Sequence, residues 1–221
     1  MSAAPGATPA LLVIAKAPVA GRSKTRLCPP LTPTEAAAVA EAALVDTLAA
    51  VAATPASRRV LVLDGVPGPW LDGGFEVVPQ RGDGLAARLG AAFADVGEPA
   101  LLVGMDTPQL TPALLEAALA RLAAPGTDAV LGPAPDGGYW AIGLRAPDPE
   151  VFAGVPMSSA GTAAAQRERL AHLGLTVGEL EALRDVDTFA DARAVAAQAP
   201  GTRFAAAVGA LRAAQDGGRS A

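Results

Sequence analysis

Four cations, Lys16, Arg22, Lys24 and Arg26, crowd into the stretch VIAKAPVAGRSKTRL (residues 13–27), which contains the chain's two lysines; its other cations are arginines. The chain as a whole carries a formal charge of −5. A concentration of positive charge in an acidic protein suits a small anion held at one spot. Ala17-Pro18 and Ala20-Gly21 interrupt the cations with small, turn-forming residues that permit close backbone approach. Such a loop, with its cations and free N–H groups, is suited to a di- or triphosphate; an ordinary solvated basic loop is the alternative. Gly21, Ser23, Lys24 and Thr25 do not complete the G-x-x-x-x-G-K-[ST] spacing, and no G-x-G-x-x-G follows the first strand.

Three acidic segments could complete such a site. In LLVGMDTPQL, Asp106 ends an apolar run. It serves either as a turn former with Thr107-Pro108 or as a carboxylate projected from a strand end to hold Mg²⁺, which takes one or two protein carboxylates and fills its other positions with water and substrate phosphates. In RDVDTFAD, Thr188 and Asp191 form a capping box, leaving Asp185 and Asp187 just outside a helix start. Separated by Val186, these two point the same way if the segment is extended, and one of them is a candidate metal ligand. In PAPDGGYWAIGL, Asp136-Gly137-Gly138 is good turn chemistry. Of Tyr139 and Trp140, one is expected in the core and the other against a pocket with Asp136.

Placing these residues together requires a scaffold. Apolar runs over 10–15, 58–64, 75–80, 99–106, 128–134 and 138–144 read as strands. They alternate with helical segments over 33–53, 83–96, 111–123 and 161–173. Thr32, Pro33 and Glu35 make a helix start, as do Thr111 and Pro112. This alternation implies an α/β fold, a single-domain three-layer αβα sandwich on a mainly parallel sheet. Ligands of such sheets sit at the carboxyl ends of strands, and the Lys16, Asp106 and Asp136 loops all begin there. The domain is expected to span 10–212, with flexible tails at 1–9 and 213–221.

Composition removes several function classes. An acidic pI near 4.9 argues against a general nucleic-acid surface. One cysteine, Cys28, allows no internal disulfide, which suits a reducing cytosol. One histidine, His172, and one cysteine make a His/Cys zinc site improbable, and no G-x-S-x-G accompanies the histidine. No run approaches ~18 uninterrupted strongly apolar residues, because Glu35, Glu41 and Asp46 interrupt the longest candidate. MSAAPGATPA lacks the basic and apolar regions of a secretory signal. A cytoplasmic protein is expected, monomeric or homodimeric, with neither membrane nor nucleic acid as partner.

Taken in order, IAKAPVAGRSKTRL, VGMDTPQL, LGPAPDGGYWAIGL and DVDTFAD resemble a bacterial family of transferases with the glycosyltransferase-A fold. That family is called DUF2064 or radical-SAM/selenodomain-associated transferase 1. More remotely, the first loop is similar to that of 2-phospho-lactate and molybdenum-cofactor guanylyltransferases. The resemblance implies a nucleotide-diphospho-sugar transferase-like fold and a Mg²⁺ (or Mn²⁺) cofactor. It implies that Lys16, Gly21, Arg22, Lys24 and Arg26 grip phosphates. It further implies that Asp106 and Asp187 hold the metal, and that Asp136, Gly137, Gly138 and Tyr139 wall the acceptor. Lys24, Asp106 and Asp136 are then the catalytic candidates. The segment QRGDGLAAR stands where the family reads Q-x-x-G-D-L-G-x-R, a place the resemblance puts near the base or ribose. Met157-Ser158-Ser159 stands where many members have W-S-T.

The implied reaction is nucleotidyl transfer from an NTP to a small phosphorylated acceptor. Glycosyl transfer from a nucleotide-sugar and non-catalytic nucleotide binding are the alternatives. In either transfer, charge develops on a diphosphate-type leaving group, so the protein's work is positioning and electrostatics.

Overall fold

The computed structural model describes residues 8–218, with side chains through 211. The tails expected at 1–9 and 213–221 therefore lie largely outside the described residues. Within them, Pro9 is buried and its carbonyl accepts from Ser57 N at 3.3 Å.

The six apolar runs and one further segment form seven strands: β1 (Ala10–Lys16), β2 (Arg59–Asp64), β3 (Glu76–Pro79), β4 (Ala100–Gly104), β5 (Ala129–Pro133), β6 (Tyr139–Leu144) and β7 (Val177–Glu179). They make one sheet in the order β3-β2-β1-β4-β6-β5-β7. β6 alone runs antiparallel, between β4 and β5. β7, a three-residue edge strand, has no apolar run to announce it. In the register of β1 and β2, Lys16 stands opposite Asp64, so the ends of both strands reach one edge.

The helices are α1 (Pro33–Ala53), α2 (Gly84–Val96), α3 (Pro112–Ala123), α4 (Thr162–His172), α5 (Phe189–Gln198) and α6 (Arg203–Gly218). Local chemistry explains the starts of α1, α3 and α5. Thr32 and Glu35 form a reciprocal capping box on α1, Thr188 and Asp191 form another on α5, and Thr111 caps α3. Asp46 of α1 accepts from the Phe204 N–H at 2.7 Å and so caps α6.

Each sheet face buries its own core. One joins Leu11, Val13, Leu61 and Leu101 to Leu44 and Leu48 of α1 and Leu115 and Leu119 of α3. The other joins Leu12, Val62, Leu102 and Ile142 to Leu89 and Phe93 of α2 and Leu170 of α4. A third cluster lies on the other side of α1, where α5 and α6 pack. α1 has the length and apolar composition of a membrane span, with a mean hydropathy of 1.7 over eighteen residues, but half of that window is buried. Its apolar residues are divided between the sheet and α5–α6, as in a core helix.

The third cluster positions the site. Leu27, fully buried in the turn after the cation loop, and Val186, 1% exposed between the two late aspartates, enter the same apolar group. Val186 N donates to Asp106 O at 2.9 Å, tying the late segment to the end of β4.

Candidate active site

Along the carboxyl edge of β1 and β4 runs a cleft of about 670 Å³, within the usual size for a small-molecule site. Lys16, Arg22, Lys24 and Arg26 line it on one side; Asp106, Asp185, Asp187 and Tyr139 line it on another.

The loop that carries the cations is pinned from inside. Ser23, 5% exposed, donates its hydroxyl to Ala17 O at 2.8 Å and accepts from Val19 N at 3.1 Å. Gly21 turns the chain at φ +76°, where a side chain would be strained. Lys24 itself takes a left-handed φ of 50° and precedes a short 3₁₀ turn, Thr25–Leu27. Its ammonium lies 2.8 Å from Asp106 Oδ2 and 3.6 Å from Asp187 Oδ1, and it donates to Val186 O. Arg26 Nη1 donates to Asp187 Oδ2 at 2.9 Å. The two ends of the chain therefore meet: residues expected to hold phosphate touch residues expected to hold metal. Lys16 and Arg22 line the cleft from exposed positions.

The carboxylates are distributed differently from the expected Asp106–Asp187 pair. Oxygens of Asp136, Asp185 and Asp187 lie within 4.8 Å of one another, the one group of three or more potential metal-ligating side chains among the described residues. Val186 turns inward, so Asp185 and Asp187 face the same way. Burial, then the charges of Asp136 and Asp187, push the Asp185 carboxyl up to about 6. Asp106 reaches this group through Lys24 and its backbone bond to Val186, and its Oδ1 is buried without a hydrogen-bond partner. Crowded like charges and an orphaned carboxylate oxygen fit a divalent, oxygen-seeking cation.

The DGGY segment is a tight turn. Asp136 Oδ1 accepts from Gly138 N at 2.8 Å, and Gly137 sits at φ +91°. A Cβ on Gly137 would lie 1.9 Å from Ala160 O, so the turn presses on the segment before α4. Trp140 is the core residue of the aromatic pair, 3% exposed, with Nε1 donating to Glu181 O at 2.9 Å. Tyr139 lines the cleft; its hydroxyl lies 3.4 Å from Gln166 Oε1, and burial pushes its phenol pKa up.

A second polar assembly joins Asp64 to Gln80 and Arg88, the two ends of the segment QRGDGLAAR that the resemblance puts near the base or ribose. Arg88 Nη1 donates to Asp64 Oδ2 and to Gln80 Oε1, both at 3.2 Å, and Arg88 Nε donates to Gly82 O at 3.3 Å. Gln80 Nε2 is itself held by Ala15 O at 2.7 Å. Gln80 and Arg88 line the cleft on the β2–β3 side of β1, away from the acidic group. The strand-end rule that selected Asp106 also covers Asp64, and applying it to every strand would have found this clamp.

The family model described as an uncharacterized protein conserved in bacteria (DUF2064) matches residues 36–159. A phosphoenolpyruvate guanylyltransferase of Salinispora arenicola is 38% identical over 209 residues, covering 90% of this chain and 92% of that protein. Another, of Sanguibacter keddieii, is 31% identical over 242 residues, covering 86% of this chain and 81% of that one. A crystal structure described as a nucleotide-diphospho-sugar transferase from Desulfovibrio desulfuricans G20 matches with a TM-score of 0.81 and 26% identity, over 95% of this chain and 96% of that one. The fold the sequence implied is thus the fold of that neighbour.

Proposed function

The chain belongs to the DUF2064 family, and from that premise we propose that it transfers a nucleotidyl group from a nucleoside triphosphate to the phosphate of a small phosphorylated acid. GTP and phosphoenolpyruvate are the first substrates to test, because both curated relatives are phosphoenolpyruvate guanylyltransferases. One observation carries the reading: a cation loop and three aspartates, Asp106, Asp185 and Asp187, share one cleft, and Lys24 joins the loop to Asp106 and Asp187.

In this reaction an oxygen of the acceptor phosphate attacks the α-phosphorus, the α–β bridging bond breaks, and pyrophosphate leaves. The attacking oxygen is already ionised at neutral pH, so no general base is required, in keeping with a chain whose single histidine does not line the cleft. Lys16, Arg22, Lys24 and Arg26, on the loop that Gly21 turns, bind and orient the triphosphate. Asp136-Gly137-Gly138-Tyr139 form the acceptor wall. Asp106 and Asp187, with Asp185 and Asp136 beside them, hold Mg²⁺ or Mn²⁺. Such an ion neutralises charge developing on the phosphates as the leaving group departs. Residues 10–212 form the active unit, and the cytoplasm, where nucleoside triphosphates are abundant, is its setting.

The test is pyrophosphate release from each NTP in the presence of phosphoenolpyruvate and Mg²⁺, with ³¹P detection of the new diphosphate. A second reading, glycosyl transfer, is favoured by the description of the Desulfovibrio neighbour. Turnover of a UDP- or GDP-sugar, with no pyrophosphate from any NTP, would establish glycosyl transfer in its place.

A further inference from the structure

Lys24 has more to do than grip phosphate. Its ammonium has three N–H donors. One donates to Val186 O, Asp106 Oδ2 is an ion-pair partner at 2.8 Å, and Asp187 Oδ1 lies 3.6 Å away. These contacts of the ammonium are all with the acidic segments. The side chain is 10% exposed. The backbone adopts a left-handed φ of 50°, a conformation that disfavours lysine and persists only where surrounding contacts hold it. The oxygens it neutralises belong to Asp106 and Asp187, two of the residues assigned above to the divalent ion.

We propose that Lys24 is the resident counter-ion of the metal site, standing between Asp106 and Asp187 until a nucleotide phosphate draws it away. The inference rests on the metal reading under Proposed function. A divalent ion arriving alone must displace the ammonium from its contacts and leave it in a poorly solvated place without a partner. When a triphosphate is present, the ammonium exchanges carboxylate for phosphate oxygens, a strong charge-assisted bond in either position. The carboxylates are thereby freed for the ion. Metal and nucleotide consequently bind synergistically, and by linkage each raises the other's affinity by the same factor. The exchange also keeps Asp106 and Asp187 paired in the empty protein, where Arg26 is the other cationic contact of Asp187.

Two measurements test this. The first titrates Mn²⁺ into nucleotide-free protein, with free Mn²⁺ followed by electron paramagnetic resonance. Replacing the charge with an apolar chain of similar length, Lys24→Met, is expected to tighten Mn²⁺ binding by about tenfold, within the usual range of such couplings. Equal or weaker binding overturns the proposal and leaves the metal reading intact. Absence of Mn²⁺ binding in both proteins overturns the proposal and the metal reading together. The second measurement uses the unaltered chain, so it holds if the variant fails to fold. With two lysines in the sequence, amine labelling read by mass spectrometry resolves each one. Saturating Mn²⁺ alone is expected to speed labelling of Lys24 severalfold relative to Lys16, and adding GTP to protect it again. Lys24 labelling indifferent to Mn²⁺ overturns the proposal.

Discussion

Lys24 Nζ and Asp106 Oδ2 lie 2.8 Å apart, though one residue follows the first strand and the other the fourth. The loop proposed to bind phosphate and the segments proposed to hold metal are therefore one electrostatic unit, in which each charge is partly desolvated and answered by the other. Removing either member leaves its partner uncompensated, which sets the scale of the effects below.

Asp106→Asn keeps the shape of the side chain and removes its charge. In the wild type, Mn²⁺ is expected to strengthen the thermal shift produced by GTP; in the variant that dependence should vanish, and turnover should fall by about 10²–10³. Thermal-shift titrations with Mn²⁺ or EDTA check this, and an unchanged metal dependence counts against Asp106 as a ligand.

Arg26→Ala separates binding from stability. The side chain is 71% exposed, so its pair with Asp187 contributes less than about 1 kcal/mol to folding. Loss of one cation from the phosphate side should nonetheless weaken GTP by about tenfold, corresponding to ~1.4 kcal/mol. Calorimetric titration of GTP alongside the melting temperature distinguishes the two; a large loss of stability with unaltered GTP affinity would make Arg26 structural.

Metal-free protein should lose stability as pH rises from about 4 to about 6. Asp185 has a folded pKa raised to about 6, so the folded state holds its proton more tightly than the unfolded chain does. Between the two pKa values the unfolded state binds fewer protons, and the stability slope with pH is negative. Urea midpoints in EDTA across this range measure it. Asp185→Asn should flatten the decline, and a decline of the same size in that variant would assign the effect to other groups.

Gly137→Ala and Gly21→Ala make a matched pair, both at positive φ. At Gly21 nothing lies within 4 Å of an added Cβ, so the expected cost is the left-handed backbone alone, about 1–2 kcal/mol. At Gly137 the Cβ would meet Ala160 O at 1.9 Å, and the turn must shift as well. The Gly137 variant should be the less stable by roughly 1–3 kcal/mol and should raise KM for the acceptor more than for GTP. Equal stabilities would mean that the Ala160 contact relaxes freely.

The elements themselves were legible because their causes are local. The apolar runs of β1, β2 and β4, and the Thr32–Glu35 and Thr188–Asp191 capping boxes, are short-range patterns, and each stands where the pattern put it. β7 was missed because three residues, VGE, carry no run; pairing with β5 makes them a strand. The resemblance set the segment from Gln80 to Arg88 near the base or ribose, but the contact of Arg88 with Asp64 is tertiary, since the two arrive from separate elements.

From the sequence alone came the strand–helix alternation, the cation loop at the end of β1 and the acidic segments that could answer it. Tertiary structure alone decided who meets whom. Leu27 and Val186, distant in the chain, are buried in one cluster behind α1, and that burial carries Lys24 to Asp187 and sets Asp185 beside Asp136. Charges expose what chemistry is available, but the apolar side chains beside them, by leaving water together, choose the partners.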